Sequence, residues 1–261
     1  YTAGGSGLEA TIPSWAFDGG MDSVRARIGR DDVRDRMKGE LVTGYEGWWN
    51  IVEAAGGWDG VVLVNARNDE NAHFEGKSIT QIAQEWGKDP ADAAWDLVAA
   101  GQGRVMAIYH MMSEEDVKWA LQRPWTSIGS DAGAALTPGS ADVLGLPHPR
   151  SYGTFPRVLG KYVRDEQVLT LAEAVRKMTS WPATRMRLDR RGVIREGAWA
   201  DITIFDLDRV SDQATYDEPV LFPVGIEYVL VNGEVVIEDG GTHTGARPGH
   251  VLYGPGKGSN R

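Results

Sequence analysis

Apolar positions follow three regimes along the chain. Up to about residue 76, glycines and tryptophans break any clean period. A charged helical piece is expected over about Ser23–Leu41, an aromatic one over Trp48–Ala55, and a strand at Val61-Val62-Leu63-Val64. Helical spacing then sharpens. Ser78 and Gln81 form a capping box ahead of Ile79, Ile82, Ala83 and Trp86, with a stop at Gly87. Asp89-Pro90 opens a second helix, with Pro at the first helical position and Gly101 just past the end. Val105–Tyr109 reads as a buried strand. Ser113 with Asp116 caps a helix carrying Val117, Ala120 and Leu121, which Pro124 ends. The apolar run Trp125–Gly129 stops abruptly at Ser130-Asp131-Ala132-Gly133, and a long Pro/Gly-rich loop is expected to about Pro156. Thr170 with Glu173 caps one more helix, whose Leu171, Ala174, Val175 and Met178 repeat at i, i+3, i+4 and i+7. From Gly192 onward the period turns strand-like, and Asn232-Gly233 supplies a two-residue hairpin turn between Tyr228–Val231 and Glu234–Ile237. The middle of the chain therefore reads as α/β and its last ~70 residues as a small β domain.

Composition narrows the function classes. The 261 residues are 42% hydrophobic and 25% charged, the balance of a globular protein. The formal net charge of −10 argues against a nucleic-acid partner, whose phosphates would repel it. No run approaches the ~20 apolar residues of a membrane span, so no membrane partner is expected and a cytoplasmic location is the default. The absence of cysteine removes disulfides and thiolate metal ligands from this chain. The chain starts at Tyr1 without an initiator Met, so a preceding segment is expected.

An apolar run ending in Asp131 before a glycine-containing loop would put a carboxylate at the C-terminal edge of a parallel sheet, the catalytic face of barrel enzymes. A turn-capping Asp would look the same. The histidines at 73, 110, 148, 243 and 250 show no H-x-H, HExxH or other metal spacing. No G-x-S-x-G elbow or phosphate-binding glycine pattern is present, and Gly4-Gly5-Ser6-Gly7 reads as a flexible loop.

SIGSDAG (127–133) and HPRSYGTFPRVLGKYV (148–163) resemble the strand-eight Asp and following loop of the D-aminoacylase family, the N-acyl-D-amino-acid deacylases of the amidohydrolase superfamily. YTAG at the start, MSEEDV (112–117) and LTLAEAVRKMTSWPATR (169–185) fit the same family. GVIREGAWADITIFD with VLVNGEVV resembles the C-terminal β-sandwich strands of many amidohydrolases. The resemblance implies the C-terminal part of a (β/α)8 TIM-type barrel. Residues 1–3 would end strand seven, 4–76 would be a lid insertion, 77–190 the last barrel helices and strand eight, and 191–261 sandwich strands and tail. It implies Asp131 as general base and acid and as a metal-site residue. Arg150 would bind the substrate's free carboxylate, with Tyr1, His148 and Ser6 also on the substrate. One or two zinc ions are implied, with the family's histidine ligands lying upstream of a YTAG-like segment. Since such a barrel takes about 250 residues, an N-terminal half is expected as a separate chain or missing segment. The implied reaction is hydrolysis of an N-acyl-D-amino acid. A cyclic-amide hydrolase, a formamide deformylase and a non-catalytic scaffold half are the alternatives.

Overall fold

The computed structural model describes residues 1–101, 104–133 and 145–253. The chain divides into two compact units, residues 1–114 with 139–148, and residues 115–138 with 149–261.

The first unit is built on a three-stranded antiparallel sheet. Strand β1 (Gly4–Gly7) and strand β2 (Val61–Asn65) flank β3 (Met106–Tyr109), giving the order β1-β3-β2. The glycine run at 4–7 is therefore a strand, not a loop. It pairs Gly4 with Tyr109 and Gly7 with Met106, and the Tyr109 hydroxyl donates to the Gly7 carbonyl at 2.9 Å. The composition misleads because the partner strand β3 supplies the ladder; at Gly4 a Cβ would lie 2.6 Å from the flexible Met111 methyl. The charged helical piece is split into α1 (Met21–Ile28) and α2 (Asp31–Thr43), because Gly29 ends the first turn series and Arg30 is extended. The aromatic piece keeps only a short helix α3 (Ile51–Ala54), capped by the Asn50 side chain.

Helices α4 (Ile79–Trp86) and α5 (Pro90–Ala100) follow their sequence signals closely. The Ser78/Gln81 capping box is formed, Gly87 ends α4 in the left-handed region, and the Asp89 side chain accepts from the Ala91 and Asp92 amides. Their apolar faces, Trp95 among them, join the first core with Leu8, Ile12, Leu63 and Tyr109. Arg34 with Asp92 and Asp96, and Lys38 with Asp92, fasten α2 to α5, and Lys88 just before α5 also bridges to Asp96.

The second unit contains α6 (Glu114–Leu121), α7 (Arg150–Arg157), α8 (Leu171–Met178) and α9 (Ser180–Arg185), followed by an antiparallel sheet. That sheet is β4 (Ile202–Phe205), β5 (Ile226–Val231), β6 (Glu234–Glu238) and β7 (Thr242–His243), in sequence order. Asn232 and Gly233 both take positive φ in the β5–β6 turn, the geometry that the dipeptide favours. The Pro/Gly-rich loop expected up to Pro156 is shorter than the sequence suggests, since residues 150–165 are helical. Pro156 lies inside α7, and from Val158 to Asp165 the helix widens to a π-helical stretch. Proline lacks the N–H of the regular ladder, and the wider register follows directly behind it. Tyr162, Val163, Leu169 and Ala174 form the second core, with Ile128 packed against it.

Residues 1–3 and 125–131, expected as barrel strands seven and eight, lie outside both sheets. All strand pairs among the described residues are antiparallel. The segment entering the apolar run satisfies its backbone differently. Four successive carbonyls, from Arg123 to Thr126, accept from side chains of residues 176–181: Arg176 to Pro124 (2.7 Å), Lys177 to Arg123 and to Thr126 (3.2 Å), and Trp181 to Trp125 (3.1 Å). No described helix is long and apolar enough to cross a membrane.

Candidate active site

Asp131 stands at the end of this side-chain-held run. The Ile128 amide donates to the Lys177 carbonyl at 3.1 Å, and three residues later Asp131 takes φ +50°. Asp tolerates this left-handed conformation better than most side chains, at some cost in strain. The neighbouring Ala132 amide donates to the Ser130 hydroxyl at 3.4 Å, closing a local turn around Asp131. The Asp131 side chain is 87% exposed, and its Oδ2 lies 2.8 Å from Arg150 Nη1.

Arg150 is the first residue of α7, set behind Pro149. Its side chain is 24% exposed, so the stem is packed while the guanidinium reaches the carboxylate. The structure thus brings together the two residues, 19 positions apart, that the sequence resemblance assigns to proton transfer and to substrate binding.

Tyr1, His148 and Ser6 belong to the first unit. His148 is buried, with Nε2 2.8 Å from the Ala3 carbonyl. A carbonyl only accepts, so Nε2 carries the proton. The Tyr1 ring meets the His148 ring edge-on, centroids 5.8 Å apart. Ser6 sits on β1 opposite Ala107, and its hydroxyl is 3.5 Å from Arg104 Nη2. Arg104 is itself engaged by Glu9 at 2.7 Å. Tyr1 and His148 therefore form a pair, while the Ser6 hydroxyl faces a guanidinium.

A metal needs several convergent donors. Among the described residues no three His, Cys, Asp or Glu side chains come together to hold one. Asp131 offers a single carboxylate, already on Arg150. These residues do not fit a zinc ion unaided.

Lys177 is the functional-site neighbour that sequence reasoning passed over. It lies on the buried face of α8, three residues after the fully buried Ala174. A lysine at an apolar position of an amphipathic helix was the available signal.

Residues 84–237 match the model of the amidohydrolase family. The chain is 44% identical over 177 residues to an N-acyl-D-glutamate deacylase of Alcaligenes xylosoxydans xylosoxydans, covering 68% of this chain and 33% of the relative. It is 41% identical over 179 residues to a D-aminoacylase of the same organism, covering 69% of this chain and 34% of that protein. It therefore spans about a third of the length of the curated relatives it matches. A solved N-acyl-D-glutamate deacylase from Bordetella bronchiseptica, complexed with zinc and a phosphonate inhibitor, superposes with a TM-score of 0.60. That pair shares 40% identity and covers 70% of this chain and 36% of the other. A solved D-aminoacylase with a binuclear metal centre gives a TM-score of 0.64 at 31% identity, covering 94% of this chain and 40% of that one.

Proposed function

Because this chain belongs to the amidohydrolase family, we propose that it is the portion of an N-acyl-D-amino-acid deacylase that carries the proton-transfer carboxylate and the substrate's anchoring arginine. The observation that supports this best is the Arg150–Asp131 pair at 2.8 Å. A fork of donors and an exposed carboxylate stand side by side, as the two ends of an acyl amino acid require. Arg150 would take the substrate's free carboxylate through two parallel N–H bonds. Asp131 would accept a proton from the attacking water and return it to the departing amine, so that amide and water become a carboxylic acid and a D-amino acid.

On this reading Tyr1–Ala3 and residues 125–131 are barrel strands seven and eight, completed by strands from outside the chain. Residues 4–76 are the lid between them, and β4–β7 belong to a β-sandwich. Tyr1, His148 and Ser6 line the substrate side. The superposition over 94% of the chain supports this layout. Zinc would need its other donors from the rest of the protein.

Replacing Asp131 by Ala should lower turnover of N-acyl-D-amino acids by about 10²–10⁴, the usual contribution of general acid–base catalysis. Steady-state assays on the full-length protein, with N-acyl-L-amino acids as the control, read this directly. Turnover within about threefold of wild type, far below that general acid–base contribution, would remove Asp131 from the chemistry.

A further inference from the structure

The Lys177 side chain is fully buried, yet it belongs to neither the proposed proton transfer nor substrate binding. Its ammonium has three protons and three oxygen partners: the Arg123 carbonyl, the Thr126 carbonyl at 3.2 Å and the Thr126 hydroxyl at 3.0 Å. That hydroxyl in turn donates to the Ala120 carbonyl at 2.8 Å, which ties the end of α6 into the same cluster. Glu173 Oε1, one turn earlier on α8, is the counter-charge at 3.7 Å. The backbone of the same lysine accepts from the Ile128 amide. One residue thus binds the run that leads to Asp131 from both its side chain and its main chain.

Burying a lysine is costly, and here burial pushes its ammonium below the ordinary lysine value, with Glu173 opposing the shift. A methionine or leucine would fill the same apolar slot without that cost. What the ammonium supplies, and an apolar side chain cannot, is a fixed donor that ties the Thr126 carbonyl, and the Arg123 carbonyl that also accepts from the Thr126 amide at 3.2 Å, to α8. Those carbonyls lie five to eight residues before Asp131, on a segment whose end is free of sheet hydrogen bonds.

We infer that Lys177 is a positioning residue for Asp131, holding residues 123–128 in one arrangement so that the carboxylate stays beside Arg150. The kinetic half of this inference rests on the deacylase reading. Its structural half does not.

The test is Lys177→Met in the full-length protein, with thermal melting to establish that the variant is folded at the assay temperature. Amide exchange over residues 123–131 should quicken, while exchange in α4 and α5 stays as in wild type. On N-acyl-D-amino acids kcat should fall roughly 10–100-fold, the cost of a displacement on the order of 1 Å, with KM kept within about twofold because Arg150 is untouched. A lysine that only stabilised the fold would lower the melting temperature and leave kcat of the folded enzyme alone. Exchange unchanged over 123–131, or kcat within about twofold of wild type against that 10–100-fold expectation, overturns the inference. Should the Met variant not fold, Thr126→Val removes one acceptor and the link to Ala120. It should move both readouts the same way by roughly 3–10-fold, a smaller displacement of the same kind, and no movement in either overturns the inference. A wild-type protein without deacylase activity sinks the deacylase reading, and the exchange comparison then decides the role of Lys177 by itself.

Discussion

Arg150→Ala separates an acyl-amino-acid hydrolase from its relatives that act on substrates without a carboxylate. The guanidinium is paired with Asp131, whose side chain is 87% exposed. An ion pair so open to water is worth little, so an incoming substrate carboxylate can replace it at small cost. The replacement would be bidentate. Two hydrogen bonds to charged groups contribute about 1.5–3 kcal/mol each. After the loss of the Asp131 contact and the ordering of the substrate, a net of about 2–4 kcal/mol is reasonable. At 1.4 kcal/mol per factor of ten, that is a rise in KM of roughly 30- to 700-fold for the Ala variant. Arg150→Lys keeps the charge and loses the fork, so it should fall between. The assay is steady-state hydrolysis of an N-acyl-D-amino acid beside the matching N-acyl amine, which lacks the α-carboxylate. Wild type should discriminate strongly between the two, and the Ala variant should treat them nearly alike. A KM for the acyl amino acid that rises less than about threefold, well under the bidentate estimate, would refute the assignment. It would then favour a cyclic-amide hydrolase or a formamide deformylase.

Two further outcomes test the scaffold around the site. Burial alone would raise the Asp96 carboxyl, but hydrogen bonds from Lys88 and Arg34 outweigh it and hold the group below its ordinary value. A depressed carboxylate adds stability above its unfolded-state value and loses it as pH falls through the folded one. In urea titrations the gap between wild type and Asp96→Asn should therefore stay level from neutral pH to about pH 4 and close below. A gap already closing at about pH 6 would contradict the pairing. Gly225 has φ +76°, and a Cβ there would fall 2.5 Å from the Val210 amide nitrogen and 2.6 Å from its Cα. Gly225→Ala should cost about 2 kcal/mol or more, read as a lower midpoint in thermal melting, and an unchanged midpoint would show that this loop relaxes freely.

Much of the helical structure was legible because its signals are local. The Ser78/Gln81 box, Asp89-Pro90 and Thr170 with Glu173 each act within one turn, and each forms the cap that its residues imply. The Asn232-Gly233 hairpin is equally local. Composition misled where packing decides. Gly4–Gly7 becomes a strand because β3 supplies its ladder, and a Cβ at Gly4 would also have to displace the Met111 methyl. Residues 150–165 become helical around Pro156, which a residue-by-residue reading takes as a loop signal.

The site shows the same division between local and distant causes. Asp131 and Arg150 were legible as a motif, and their ion pair brings them together. What holds Asp131 was not legible, because an apolar run reports burial and says nothing about what satisfies its backbone. At 125–129 no described strand of this chain supplies the ladder that such a run implies. The run is apolar and Ile128 packs on the second core, yet its Trp125 and Thr126 carbonyls go to Trp181 and Lys177, and the Pro124 carbonyl just before it goes to Arg176, some fifty residues onward. Arg176 and Lys177 look like solvated charges in the last turn of an amphipathic helix, where cations favour the helix dipole. Only the burial of Lys177 beside Ala174 marks it as different. A charged residue at an otherwise apolar helical position is thus a prompt to ask which distant carbonyl it serves, and here the answer leads to the segment that carries Asp131.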